Sequence, residues 1–118
     1  MSDLHWKSGL ELAQLIRRKE LSPVELVEAV LARVAALNPR LGAFCLVTPD
    51  VARAAAREAE IAVMKGEPLG PLHGVPFSAK DVLYTKGVRT TGGSRLFADL
   101  VPEHDVIPVG RLRASGRA

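Results

Sequence analysis

Lys80 is the residue whose surroundings most invite chemistry. It sits in Val75-Pro76-Phe77-Ser78-Ala79-Lys80-Asp81-Val82-Leu83-Tyr84, an otherwise largely apolar stretch. Burial disfavours the charged ammonium, and a neutral amine can serve as a general base. The competing structural reading is a strand-end lysine that pairs with Asp81 or reaches back to water. Ser78 lies two positions earlier, so on a strand the two side chains share a face. A serine–lysine pair is one way to activate a hydroxyl. At about 3.3 Å rise per residue their Cβ atoms would stand roughly 6–7 Å apart, and contact needs the lysine to fold back. An intrinsic Ser78–Lys80 dyad is therefore disfavoured.

Gly87-Val88-Arg89-Thr90-Thr91-Gly92-Gly93-Ser94 is rich in glycine and hydroxyls. Backbone amides in such loops can form anion-binding nests. The pattern lacks the Gly-Lys-Ser/Thr of a phosphate loop, which favours plain tight turns. His5, His73 and His104 are far apart and have no metal-ligand spacing. No nucleophile elbow is visible. The single cysteine, Cys45, excludes a disulfide framework and a cysteine zinc site. It lies in the apolar run Ala43-Phe44-Cys45-Leu46-Val47, which predicts a small buried hydrophobe rather than a nucleophile.

Helices must carry these segments. Ser8 and Glu11 form a capping box, and Leu12, Leu15 and Ile16 share one face, predicting a helix over 9–19. Ser22, Pro23 and Glu25 open a second helix, with Val27, Val30, Leu31, Val34 and Leu37 at helical spacing. Asn38-Pro39 is expected to end it, because a residue before proline avoids the helical region. Residues 43–47 read as a short strand. Thr48-Pro49-Asp50 starts a third helix with an alanine face, Ala52, Ala55, Ala56, Ala59 and Ala62, and Gly66 fits the C′ position beyond it. From Glu67 to Ser94 glycine and proline dominate, and residues 75–80 read as a strand with Pro76 near its start. A terminal helix over 105–115 is expected, capped by Asp105 and weakened by Gly110. Two strands alone make a poor sheet, so the segment looks interrupted.

With 118 residues, 47% hydrophobic and 25% charged, the chain fits one compact, ordered unit at most. The net charge of +3 is spread over Arg17, Arg18, Lys19, Arg111, Arg113 and Arg117 without an aromatic-interleaved stripe, so nucleic-acid binding is not expected. The start lacks the marks of a signal peptide, and no apolar stretch approaches the roughly 20 residues of a membrane span. A reducing cytoplasm is the expected compartment.

Gly70-Pro71-Leu72-His73-Gly74-Val75-Pro76-Phe77-Ser78-Ala79-Lys80-Asp81 resembles the lysine segment of the amidase signature family. The likeness continues through 85–94, resumes at Asp105, and extends upstream to Leu21-Ser22-Pro23-Val24-Glu25-Leu26 and Leu37-Asn38-Pro39. It implies an α/β domain with a mixed sheet covered by helices. Residues 1–118 would be the N-terminal part of that single domain, mainly helical over 1–66. Residues 67–118 would supply the first strands, the Lys80 loop segment and a terminal helix. The implied reaction is hydrolysis of a carbon–nitrogen amide bond by a Ser-cisSer-Lys triad, with Lys80 exchanging protons with a bridging serine that activates a nucleophilic one. A small-molecule amide is the implied substrate, and no cofactor is implied. Ser78 matches neither serine. Gly92, Gly93 and Ser94 are expected to shape the loop near the catalytic centre. Both serines belong to a downstream Gly/Ser-rich motif that this sequence lacks, so no amidase activity is expected of it alone. A simple amidase and the amidotransferase component that amidates glutamyl-tRNA share this segment. The rival expectation is a truncated, non-enzymatic remnant or interaction module.

Overall fold

The computed structural model describes residues 2–116, so Arg117 lies outside the described residues. The order is a 3-10 turn at Ser2–Trp6, α1 (Gly9–Arg17), α2 (Pro23–Leu41), α3 (Pro49–Met64), a 3-10 turn at Arg95–Phe97 and α4 (Ile107–Ala114). The chain divides into two compact units, 2–76 with 115–116, and 77–114.

In the first unit, α1 starts on the expected capping box. Ser8 Oγ accepts from the Glu11 amide at 3.2 Å, and Glu11 Oε2 accepts from the Ser8 amide at 2.7 Å. The helix ends in a Schellman turn: the Glu20 amide reaches the Leu15 carbonyl and the Lys19 amide that of Ile16. Lys19 takes the left-handed position there, at φ 62°. For α2, Ser22 Oγ accepts from the Val24 and Glu25 amides, and Pro23 opens the helix. Glu25 contributes its amide to this cap, while the Ser22 hydroxyl donates to Glu60 Oε1 on α3 at 2.5 Å.

The expected stop at Asn38-Pro39 is corrected. The helix runs on to Leu41 and ends at Gly42, φ 61°. The Asn38 side chain binds Phe44 twice beyond the helix end, Nδ2 donating to its carbonyl at 2.9 Å and Oδ1 accepting from its amide at 2.8 Å. At the end of α3, Gly66 occupies C′ at φ 69°, and a second Schellman turn joins Glu67 to Ala62 and Gly66 to Val63. Thr48 makes no side-chain cap, so Pro49 alone marks the start.

α2 and α3 pack on each other. Leu12, Ile16, Leu21, Leu26 and Val63 form the core, lined by Leu4, Leu15, Val30, Leu69 and Val75. Removing such apolar surface from water contributes roughly 25 cal/mol per Å². Of the alanine face, Ala56 is buried.

The expected strands are the main correction. Among the described residues no strand is present, and residues 43–47 and 75–80 are irregular backbone. An isolated β-bridge joins Thr85 and Val88 across a tight turn. A strand satisfies its amides and carbonyls only beside another, and these segments have no partner here. For the same reason Cys45 is exposed rather than buried.

The second unit is small and loop-rich. Backbone bonds hold it: Gly87 to Pro102 at 3.0 Å, Thr90 to Leu100 at 2.9 Å and Val106 to Tyr84 at 2.9 Å. Asp105 does not take up the expected cap of α4. Its carboxylate accepts from the Lys86 amide at 2.7 Å and faces Arg113 Nε at 3.6 Å.

Candidate active site

Lys80 belongs to the second unit, on irregular backbone that is turned immediately afterwards by a bond from the Leu83 amide to the Lys80 carbonyl, 2.9 Å. Its side chain is exposed, as are Ser78 and Phe77. The burial that would desolvate the ammonium is not supplied by this chain. Without a strand, Ser78 and Lys80 also lose the shared face that the sequence suggested.

The residue after Lys80 has a defined task. Asp81 Oδ1 accepts from the Thr91 amide at 2.8 Å, and Asp81 Oδ2 accepts from the Thr91 hydroxyl. The Asp81 carbonyl accepts from the Gly92 amide at 2.6 Å. Thr91 Oγ1 in turn accepts from the Gly93 amide at 3.1 Å. The Ser94 amide closes onto the Thr91 carbonyl at 3.0 Å, and Ser94 Oγ caps the next turn through the Leu96 amide at 3.2 Å. Gly92 and Gly93 stand at φ 60° and 72°, which only glycine adopts without strain.

The amides of Thr91, Gly92, Gly93 and Ser94 are therefore all spent inside the loop. The tight-turn reading of this glycine-rich run holds, and an anion nest at these four amides does not form. Thr90, just before them, is buried, its hydroxyl donating to the Val88 carbonyl at 3.0 Å. Sequence reasoning missed the Asp81–Thr91 link, weighing Asp81 only as a counter-charge. A carboxylate ten residues from a threonine followed by two glycines was the available signal, and only the fold of the turn brings them together.

The Gly70–Gly74 part of the same sequence string lies in the first unit. His73 is buried there, Nε2 standing 2.8 Å from the Ala59 carbonyl of α3 and Nδ1 against the Gly116 carbonyl. Gly74 at φ 79° lies so close to α1 and α2 that a Cβ would meet Pro23 Cγ at 2.9 Å and Ile16 Cδ1 at 3.1 Å. Arg17 donates to the Gly70 carbonyl at 3.0 Å. His104, in the second unit, meets Tyr84 edge-on with ring centroids 5.9 Å apart.

The amidase family model matches residues 25–118, and the chain belongs to that family. It is 49% identical over 116 residues to a glutamyl-tRNA(Gln) amidotransferase subunit of Salinispora tropica, covering 98% of this chain and 24% of that protein. It is 42% identical over 106 residues to a putative amidase AmiD of Mycobacterium tuberculosis, covering 90% of this chain and 22% of that one. Among solved structures, a bacterial aryl acylamidase of the amidase signature family matches with a TM-score of 0.81 and 30% identity, over 95% of this chain and 24% of its own. A structure described as a vestigial protein complex revealing the origins of an s-triazine catabolic enzyme matches with a TM-score of 0.89 and 30% identity, over 95% of this chain and 25% of its own. The chain thus spans about a quarter of the length of these relatives. Among the described residues no helix is long and apolar enough to cross a membrane.

Proposed function

We propose that the chain is the lysine-bearing quarter of one amidase domain that hydrolyses a carbon–nitrogen amide bond, with Lys80 as its base. In that reading the Lys80 amine exchanges protons with a bridging serine, which activates a nucleophilic serine for attack on the amide carbonyl. An acyl-enzyme forms, ammonia or an amine departs, and water completes the reaction. The observation that carries the reading is the family match over 25–118, which includes the whole Gly74–Asp81 string. The 118 residues hold no Gly/Ser-rich motif for the two serines, so the chain alone is inactive in this reading. The exposure of Lys80 fits that view, since the walls that would dry a catalytic amine have to come from outside these residues.

Within the family, the first relatives favour an amidotransferase component working on glutamyl-tRNA(Gln) over a stand-alone amidase. Exposed Leu96, Phe97 and Ile107 favour a second reading, an interaction module without chemistry.

The test grafts residues 1–118 onto the remaining three quarters of the aryl acylamidase and follows hydrolysis of an aryl acylamide. The graft should turn over, and Lys80→Met should lower the rate by about 10²–10⁴-fold while leaving the thermal transition in place. A Lys80→Met graft with an undiminished rate, or a folded but inactive parent graft, sinks the proposal in favour of the interaction module.

A further inference from the structure

We propose that Asp81 is a positioning residue, a clamp that makes the Lys80 backbone and the Thr91–Ser94 loop move as one body; its catalytic consequence rests on the reading of Lys80 as a base. Asp81 is bonded to the loop at three points, through both carboxylate oxygens to Thr91 and through its own carbonyl to Gly92. The link extends one step further, because the Thr91 hydroxyl that Asp81 holds also accepts from Gly93. Lys80 is thereby bracketed. Its own carbonyl is held by the Leu83 amide, and the next peptide is held by the loop. An exposed lysine side chain has several rotatable bonds, so what the chain can fix before substrate binds is the origin of that side chain. A fixed origin matters because misplacing a reacting group by about 1 Å can cost about a hundredfold in rate.

The carboxylate at position 81 accepts from both the Thr91 amide and the Thr91 hydroxyl. Asparagine keeps one acceptor for the Thr91 amide and can donate to the Thr91 hydroxyl, so it preserves the link with one bond reversed. Alanine removes both. Thr91→Val removes the hydroxyl and with it the connections to Asp81 Oδ2 and to Gly93, at nearly constant shape.

The first measurement is amide hydrogen exchange on the 118-residue chain by NMR. The Thr91 and Gly92 amides should be protected in the unsubstituted chain. Asp81→Ala should speed exchange of the Thr91 amide about two- to tenfold, the scale of one lost net hydrogen bond, with Asp81→Asn in between, while the Gly92 amide keeps its bond to the backbone carbonyl of residue 81. Amides of Ile16 and Leu26, in the other unit, report that the chain is still folded. The second measurement uses the aryl acylamidase graft. There Asp81→Ala should lower kcat about ten- to a hundredfold with KM nearly unchanged, and Asp81→Asn should restore most of it. Unprotected Thr91 and Gly92 amides in the unsubstituted chain, or rates indifferent to Asp81→Ala, overturn the clamp. A change in KM alone, or no rescue by asparagine, overturns the positioning role. A clamp intact by exchange beside a Lys80→Met graft of full activity leaves Asp81 as a loop clamp and rejects the reading of Lys80 instead.

Discussion

The ring of His73 is pinned between the carbonyls of Ala59 and Gly116. The first belongs to α3, and the second to the segment that returns to the helical unit after α4. The Gly70 amide reaches the same Gly116 carbonyl at 3.3 Å. His73, for which the sequence offered no metal-ligand spacing, is a brace within the helical unit. His73→Ala should lower stability by about 1–3 kcal/mol, through the lost packing of a buried ring and the lost hydrogen bond from the ring to a carbonyl. Urea unfolding of the two chains, compared at constant slope, reads this directly. An unchanged midpoint would mean that the brace contributes nothing.

Gly74, next in sequence, is expected to tolerate no side chain. Alanine there combines a positive φ with a Cβ 2.9 Å from the Pro23 ring and 3.1 Å from Ile16. Neither the proline ring nor a fully buried isoleucine can swing aside. Gly74→Ala should destabilise by about 1–3 kcal/mol. Gly66→Ala is the control, since its Cβ would meet open space and only the backbone strain remains. Equal losses at the two sites would show that crowding at Gly74 has no weight.

Acid should loosen the start of α1. The Ser8 amide and hydroxyl hold the Glu11 carboxyl below the usual carboxylate range. A group whose folded value is depressed stabilises fully above its unfolded value and loses that contribution as pH falls through the folded value. The Arg53 guanidinium lowers Glu28 in the same sense. Glu11→Gln should therefore flatten the fall of the urea midpoint between neutral pH and the acid side of the carboxylate range. A slope equal to that of the unsubstituted chain would remove Glu11 from the account. Both carboxylates are on the surface, so salt should shrink the Glu28 part first.

Cys45 should react with a thiol reagent in the folded chain, without denaturant, to one equivalent. The apolar run around it suggested protection, but Phe44, Leu46 and Val47 are themselves more than a third exposed. Labelling that waits for urea would restore the buried cysteine and point to a strand partner for residues 43–47.

The sequence alone determined the local structure. Capping residues, helical spacing and turn glycines act over three or four positions, so α1, α3 and α4 fall where Ser8, Pro49 and the 105–115 pattern put them, with ends shifted by one or two residues. The same string announced Lys80 and its family, because a motif is a one-dimensional object. What lay beyond it was every feature that depends on a distant partner. The strands at 43–47 and 75–80 were a fair reading of period and composition, yet a strand exists only beside another. α2 runs through Pro39, and the Asn38 side chain meets Phe44 beyond the helix end, a contact that no local pattern announces. Asp81 found Thr91, and His73 found Gly116, only when turns with left-handed glycines folded the chain onto itself. Burial, too, is a property of neighbours. The tertiary structure left Lys80 in water and Ile16 dry, and no count of apolar residues around either could have separated them.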